Sequence, residues 1–135
     1  MNAAQINAFY AEAFPGASAH VEHADGKTAR LRLPFNPNST RPGDTVSGPT
    51  MMALADSAMY ALTLSAIGLQ PMAVTTNLTM NFLRMPGRAD LIAEARMLKL
   101  GRALAVGDVL IRADGAESPC AHAVVTYSIP PKKGG

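Results

Sequence analysis

The chain has 135 residues, of which 48% are hydrophobic and 16% are charged. This length fits one domain, and the hydrophobic content excludes an intrinsically disordered chain, which lacks the apolar surface to offset its ordering entropy. The charged fraction is low against about 25% in typical globular proteins. Because a small monomer needs a polar surface, this shortfall predicts that part of the surface is shared with another copy of the chain.

The charge and cysteine content exclude several classes of partner and site. The net charge is +2, from 12 basic and 10 acidic residues that are scattered along the chain. Nucleic-acid-binding domains usually carry a stronger, clustered basic excess, so we expect no nucleic-acid partner. The single cysteine, Cys120, permits neither an internal disulfide nor a cysteine-based zinc site, and we expect no metal. The first 14 residues do not resemble a secretory signal, which makes the cytoplasm the expected compartment.

The N-terminal part of the chain is predicted to form a short helix and a hairpin. Apolar residues at helical spacing predict a helix over residues 3–14, and a Pro-Gly pair then ends this N-terminal segment, 1–16. Two alternating runs around an Asp-Gly turn predict a hairpin, with strands at residues 17–24 and 27–35. His20 and His23 in the first strand are expected on opposite faces, a poor arrangement for a shared metal site.

A long apolar helix is predicted at residues 49–67, after a loop rich in Pro, Gly, Asn and Ser. Ser47-Gly48 provides its start and Gly68 its end. A membrane-spanning helix needs about 20 apolar residues, and an Asp at its centre costs roughly 3 kcal/mol. Because Asp56 lies within this helix, we expect no membrane partner and predict a central helix wrapped by a sheet.

The remainder of the chain is predicted to consist of strands. Extended runs alternate with turns that contain Gly, and such short connections imply antiparallel pairing. These strands cover residues 73–84, 90–99, 103–113 and 120–129, and a loose tail is expected at 130–135. The predicted fold is α+β: one domain over residues 1–135, with a curved antiparallel sheet of about six strands around one long helix, and a short N-terminal helix.

Asp56 is the only charged residue between Asp44 and Arg84, and it lies within the apolar helix. A buried carboxylate is costly unless it is protonated, paired or hydrogen-bonded. Asp56 is therefore either a functional group or part of a structural hydrogen bond. Its expected hydrogen-bond donors are strand residues that follow the helix: Thr75, Thr76 and Asn77.

The start of the long helix is a second candidate feature. Free N–H groups there stabilise negative charge, so Gly48 can bind an oxyanion, although it can equally serve only to make the turn. Gly48 and Asp56 are separated by about 12 Å along one helix, too far to act on one carbonyl group. Two antiparallel copies of the helix would bring Gly48 of one chain to Asp56 of the other. The segment 45–83, whose only charged residue is Asp56, would then line the seam between the chains.

The sequence Ser-Gly-Pro-Thr-Met-Met-Ala-Leu-Ala-Asp at residues 47–56, with the strand pattern at 73–84, resembles the hotdog-fold acyl-CoA thioesterases, in particular their phenylacetate-degradation (PaaI-like) branch. The likeness covers roughly residues 17–129 and includes the later segments 91–96, 101–102 and 121–123. It implies the hotdog fold and an acyl-CoA substrate with no cofactor other than the coenzyme A of that substrate. It also implies a homodimer that pairs into a homotetramer, with sites across the subunit interface.

The resemblance also implies roles for individual residues. Asp56 would be the general base for water or the nucleophile on the thioester carbonyl, and the Gly48 backbone N–H would polarise that carbonyl. Thr75 would orient the attacking water. Basic residues are expected to bind the coenzyme A phosphates or to be ordinary solvated charges. The expected substrate-binding residues are Ser47, Asn38, Thr76, Asn77, Arg84 and Arg102.

The chain departs from the family pattern at three positions. Ser47 replaces a His, Pro49 replaces a second Gly, and Arg41 stands where a loop Asn is common, with Asn38 as its potential substitute. The missing His leaves two alternatives: a non-catalytic acyl-CoA binding or sensing domain and, less favoured, a hydratase or dehydratase. Aromatic residues make up only 5% of the chain, which slightly favours an aliphatic acyl group of medium length.

Overall fold

A computed structural model of the protein describes residues 1–131, so the predicted loose tail lies largely outside the described residues. The helices are α1 (Ala3–Ala13) and α2 (Gly48–Ile67), with a short 3-10 turn at Pro37–Ser39. The strands, in chain order, are β1 (His20–Ala24), β2 (Thr28–Leu33), β3 (Thr40–Arg41), β4 (Thr45–Val46), β5 (Val74–Phe82), β6 (Leu91–Leu100), β7 (Leu104–Ala113) and β8 (Ala121–Ser128).

Six of these strands form one antiparallel sheet around α2. The strand order is β1-β2-β6-β7-β8-β5, and β3 and β4 form a separate small hairpin in the loop before α2. α2 contacts all six strands of the large sheet. The predicted α+β arrangement of one long helix and six antiparallel strands is confirmed. β5 lies at one edge of the sheet, paired only with β8.

α1 is fixed to the sheet and to α2 by specific contacts. Its start is a capping box in which Asn2 and Gln5 exchange hydrogen bonds between side chain and backbone, each 2.9 Å long. The Asn7 side chain bonds both the N–H and the carbonyl oxygen of Val21 in β1. The Tyr10 hydroxyl donates to the main-chain oxygen of Ser57 at 2.9 Å. These bonds place an aromatic side chain of α1 beside the middle of α2.

The β1–β2 hairpin forms as predicted, but its histidines do not lie on opposite faces. A β-bulge between Val21 and His23 adds one residue to β1 and shifts the alternation of its side chains. His23 therefore lies opposite Arg30 and His20 opposite Arg32, both on the exposed face of the sheet. The expected arrangement is wrong because a bulge leaves no periodic signal in the sequence.

α2 begins and ends at the predicted signals. The Ser47 side chain accepts a hydrogen bond from the N–H of Thr50, and Gly68 ends the helix with a φ of +87°. The helix is long and apolar enough to cross a membrane by length and composition alone, but more than half of it is buried inside the protein. It is therefore the core helix of this fold, as the sheet contacts require.

The sheet approaches α2 closely at Gly107 in β7. A Cβ atom at this position would lie 2.7 Å from the Met59 sulfur and 2.8 Å from the main-chain oxygen of Arg96. Both distances are shorter than van der Waals contact. The absence of a side chain at Gly107 therefore sets the distance between α2 and the sheet.

Candidate active site

The half-buried Asp56 carboxylate is held by two hydroxyl groups. Its Oδ1 accepts hydrogen bonds from Thr75 Oγ1 at 2.6 Å and from the Tyr127 hydroxyl at 2.8 Å. Within residues 1–131, Oδ2 has no hydrogen-bond partner. One carboxylate oxygen is thus fixed by the protein and the other is free for a ligand or water.

A β-bulge in β5 decides which of the three expected donors reaches Asp56. Thr75 lies opposite the buried Tyr127, whereas Asn77 lies opposite Thr126, so the register shifts by one residue between them. Thr76 Oγ1 donates instead to the main-chain oxygen of Thr126 at 3.2 Å. The expected contacts of Thr76 and Asn77 with Asp56 are therefore wrong, because the extra residue turns Asn77 to the outer face of the sheet.

A cavity of about 410 Å³ adjoins Asp56, and four aromatic side chains form part of its wall: Tyr10, Phe14, Tyr60 and Tyr127. Tyr60 stacks between Tyr10 and Tyr127, with ring centroids 6.0 and 5.8 Å apart. Phe14 adds edge contacts with both Tyr10 and Tyr60. The chain has only 3 Tyr and 4 Phe, so most of its aromatic side chains gather at this one place. Composition could not reveal that concentration.

The three tyrosines of this cavity are hydrogen-bond donors. Burial is the main cause that raises the pKa of Tyr10, Tyr60 and Tyr127, so their hydroxyls stay protonated near neutral pH. Tyr60 donates to the main-chain oxygen of Pro71 at 3.1 Å, and Tyr127 donates to Asp56. Asp56 is thus the one carboxylate that lines this cavity among the described residues.

A second cavity, of about 500 Å³, opens at the start of α2 around Gly48. Pro49 has no N–H, the Thr50 N–H bonds the Ser47 side chain, and the Met51 N–H bonds the Ser47 main-chain oxygen. In the described part of the chain, the Gly48 N–H is therefore the unused donor of this helix turn. Such a donor can stabilise an oxyanion.

Two arginines line the Gly48 cavity, and no acidic residue lines it in the described chain. Arg84 donates from Nε to the main-chain oxygen of Pro119 at 3.0 Å and is exposed. Arg41 enters from the β3–β4 hairpin and is also exposed. Arg41 was missed as a candidate ligand, although its position in a loop that leads directly to Gly48 was a usable signal.

Two further expected residues do not reach either cavity within one chain. Asn38 is exposed in the short 3-10 turn, and Arg102 lies in the β6–β7 turn beside the end of α2. The Ser47 side chain caps α2 and also contacts Thr50 Oγ1 at 2.8 Å, so it lines the Gly48 cavity while supporting the helix. The structure thus groups Ser47 and Arg84 with Gly48, and Thr75 with Asp56.

The Gly48 and Asp56 cavities share no lining residue. Eight residues of α2 separate the two groups, which corresponds to about 12 Å. Within the described residues, a single chain therefore presents two groups at separate places: a carboxylate with one free oxygen, and a free backbone N–H beside two arginines. Together these groups could deprotonate water and stabilise an oxyanion.

Comparison with known proteins identifies the family. The family model described as "Thioesterase superfamily" matches residues 43–120, which is more than half of the chain and includes Gly48, Asp56 and Thr75. A curated protein from Thermoplasma acidophilum, named as an esterase, is 29% identical over 109 residues that cover 81% of each chain.

Solved structures agree with this family and with the fold. A crystal structure from a Silicibacter species, assigned as a thioesterase, has a TM-score of 0.88 and 42% identity, with 97% of this chain and 93% of that chain covered. The E. coli PaaI protein from the phenylacetic acid degradation operon has a TM-score of 0.75 at 22% identity, with 94% and 92% covered, and so has the same fold. The chain therefore belongs to the thioesterase superfamily, and it is a thioester hydrolase with the hotdog fold.

Proposed function

We propose that the protein hydrolyses an acyl-CoA thioester to a free acid and coenzyme A, in a site formed by two copies of the chain. Asp56 acts as the general base for water or as the nucleophile on the thioester carbonyl, and the Gly48 N–H of the other copy stabilises the oxyanion. In both routes the C–S bond breaks and coenzyme A leaves as the thiolate. In the nucleophilic route, water then hydrolyses the acyl anhydride on Asp56 to the free acid and restores the carboxylate. The observation that carries this proposal is the pair of unused groups on one helix, Asp56 Oδ2 and the Gly48 N–H.

The edge strand β5 supports a homodimer. Its outer edge has no partner strand within residues 1–131, and unpaired edges readily take up another strand. Large apolar side chains are exposed on this strand and in the segments that flank it: Met72, Val74, Phe82, Leu83 and Met85. A second copy paired along this edge would cover apolar surface and bring two α2 helices together in antiparallel orientation. Further association of two such dimers is proposed from the family resemblance alone.

The Gly48 cavity is the proposed binding site for the phosphate-bearing part of coenzyme A. Arg41 and Arg84 line it without a neighbouring acid in the described residues, which favours an anionic ligand. Guanidinium groups bind phosphate oxygens with strong charge-assisted hydrogen bonds. The Gly48 N–H would contact the carbonyl group, and the exposed Arg41 and Arg84 side chains would contact phosphates on the arm of the ligand that extends out of the cavity.

The cavity beside Asp56 is the proposed binding site for the acyl group. The low aromatic content of the chain favoured an aliphatic acyl group, but the aromatic side chains are concentrated in this cavity. Aromatic rings pack favourably against each other in stacked or edge-to-face geometry. We therefore propose an acyl group that carries an aromatic ring.

Asp56→Asn tests the proposed mechanism, because the amide cannot take a proton from water. Thiol release from a panel of aliphatic and aryl acyl-CoA esters should fall by about 10²-fold or more, while the protein stays folded and oligomeric. Asp114→Asn, which changes an exposed carboxylate in the turn after β7, is the matched control. Unchanged turnover in Asp56→Asn would contradict the mechanism.

The sequence alone also allowed a non-catalytic acyl-CoA binding domain, since Ser47 stands where the family has a His. The same panel distinguishes the two functions when binding is measured by calorimetry. The proposal predicts thiol release by the wild-type protein, whereas saturable binding without thiol release would favour the binding domain.

A further inference from the structure

The Tyr127 hydroxyl makes a contact that neither the sequence motifs nor the family match assigns. It lies 2.8 Å from Oδ1 of Asp56 and 3.2 Å from the main-chain oxygen of the same residue, 71 positions away in the chain. The hydroxyl has one proton, and the shorter contact with the charged group takes it. Tyr127 thus reaches both the carboxylate and the backbone of Asp56.

Two donors converge on the same carboxylate oxygen. Thr75 from β5 and Tyr127 from β8 both donate to Oδ1, while Oδ2 has no partner in residues 1–131. Two hydroxyl bonds at 2.6 and 2.8 Å fix the plane of the carboxylate and occupy Oδ1. The remaining oxygen, Oδ2, then keeps its lone pairs available on a residue that lines the cavity.

Tyr127 is itself held rigidly. Its side chain is only 3% exposed, its ring stacks on Tyr60, and β8 is paired on both sides, with β7 and β5. Burial keeps the phenol neutral, so it donates a proton and does not compete as a base. The titratable side chains along this cavity, within the described residues, are Asp56 on α2, Tyr10 on α1, Tyr60 on α2 and Tyr127 on β8.

We infer that Tyr127 is a positioning residue for the proposed hydrolysis, which fixes Oδ1 of Asp56 so that Oδ2 receives the proton from water or attacks the thioester carbonyl. This inference rests on the proposed function of Asp56. Tyr127 acts through Asp56 and does not touch the reacting carbonyl. Thr75 shares the role from the neighbouring strand.

Tyr127→Phe tests the inference, because it keeps the ring and its stacking but removes the donor. We expect kcat to fall about 10-fold or more with little change in KM, which corresponds to the loss of one hydrogen bond to a charged group. A hydrogen bond to the charged form of an acid stabilises that form. Its loss should therefore move the acid side of the pH profile of kcat/KM to higher pH. Thr75→Val should move it in the same direction.

Thr63→Val is the matched control for the loss of a buried hydroxyl. Thr63 lies on the same helix as Asp56, and its buried hydroxyl donates to the main-chain oxygen of Met59 at 2.8 Å and not to Asp56. This variant should keep the wild-type pH profile. Replacement of Tyr127 by 3-fluorotyrosine, whose hydroxyl is a stronger donor, keeps the packing and should move the acid side of the profile to lower pH.

The outcomes separate this inference from the proposed function. A wild-type pH profile in both Tyr127 variants would overturn the positioning role, even if kcat falls, because a purely structural defect does not move that profile. If Tyr127→Phe does not fold, as judged by circular dichroism, the 3-fluorotyrosine protein decides alone. Activity that survives in Asp56→Asn would instead overturn the proposed function, whatever the Tyr127 variants do.

Discussion

Two polar groups, Asp56 Oδ2 and the Gly48 N–H, stand out at the scale of single residues. In the described chain, no buried side-chain nitrogen or oxygen lacks a hydrogen-bond partner. Asp56 Oδ2 is not among those buried atoms. It and the main-chain N–H of Gly48 border cavities in which a ligand can supply a hydrogen-bond partner. The surrounding hydroxyls of Thr75, Tyr127 and Ser47 are all used to support these two positions.

Substitution of Arg41 or Arg84 tests the proposed coenzyme A site. Arg41→Gln and Arg84→Gln should each raise KM for an acyl-CoA by about 10-fold, because each removes a charged hydrogen bond to phosphate. The same variants should leave KM unchanged for the N-acetylcysteamine thioester of the same acid, which has no phosphate. Steady-state kinetics with both thioesters measures the difference.

Arg112→Gln is the control for that experiment, since Arg112 pairs with Glu94 on the outer face of the sheet. It should behave like the wild-type protein with both thioesters. Equal losses for the two thioesters in Arg41→Gln and Arg84→Gln would contradict a phosphate-binding role.

At the scale of elements, the contact between α2 and β7 determines where Asp56 lies. Met59 is one helical turn from Asp56, and its sulfur fills the space left by the missing side chain of Gly107. A change in this contact would therefore alter both the stability of the core and the position of the carboxylate relative to Thr75 and Tyr127.

Gly107→Ala should lower the free energy of unfolding by about 1–3 kcal/mol, because the added methyl group would overlap Met59 and the backbone of β6. Chemical denaturation measures this loss. Gly101→Ala is the control, since a Cβ there would meet only the main-chain oxygen of Leu104 at 3.5 Å. Equal free energies of unfolding for the two variants would contradict the predicted clash of a side chain at position 107 with Met59 and β6.

The helices and strands could be predicted from the sequence, whereas some contacts of the candidate site could not. Ser47 and Gly68 mark the ends of α2 by local chemistry, and the strands follow from alternation and turns. The bulges in β1 and β5 add one residue without a compositional signal, so the faces of His23 and Asn77 were predicted wrongly. Tyr127 escaped notice because its contact with Asp56 exists only once β8 lies beside β5.

At the scale of the whole molecule, the low charged fraction of the chain is due in large part to one long segment. The segment 45–83 carries one charged residue, Asp56, and forms α2 and the edge strand β5. α2 is covered by the sheet of its own chain, whereas the outer edge of β5 is open. A second copy at this edge would explain the composition, and in the proposed site it would supply the Gly48 N–H to Asp56.

The central claim is that each site combines Gly48 of one chain with Asp56 of another. Gly48→Pro removes the N–H at the first position of α2, where helices tolerate proline. The residue before it, Ser47, already has the extended backbone that a following proline requires. Asp56→Asn removes the base. Each variant alone should be inactive, because every site in its homodimer is incomplete.

Mixed subunits of these two variants test the claim most directly. When Gly48→Pro and Asp56→Asn chains are unfolded, mixed in equal amounts and refolded together, half of the dimers are heterodimers and each contains one complete site. The account predicts recovery of about a quarter of wild-type thiol release. No recovery in a mixture that contains heterodimers, verified by mass spectrometry of the intact dimers, would contradict it.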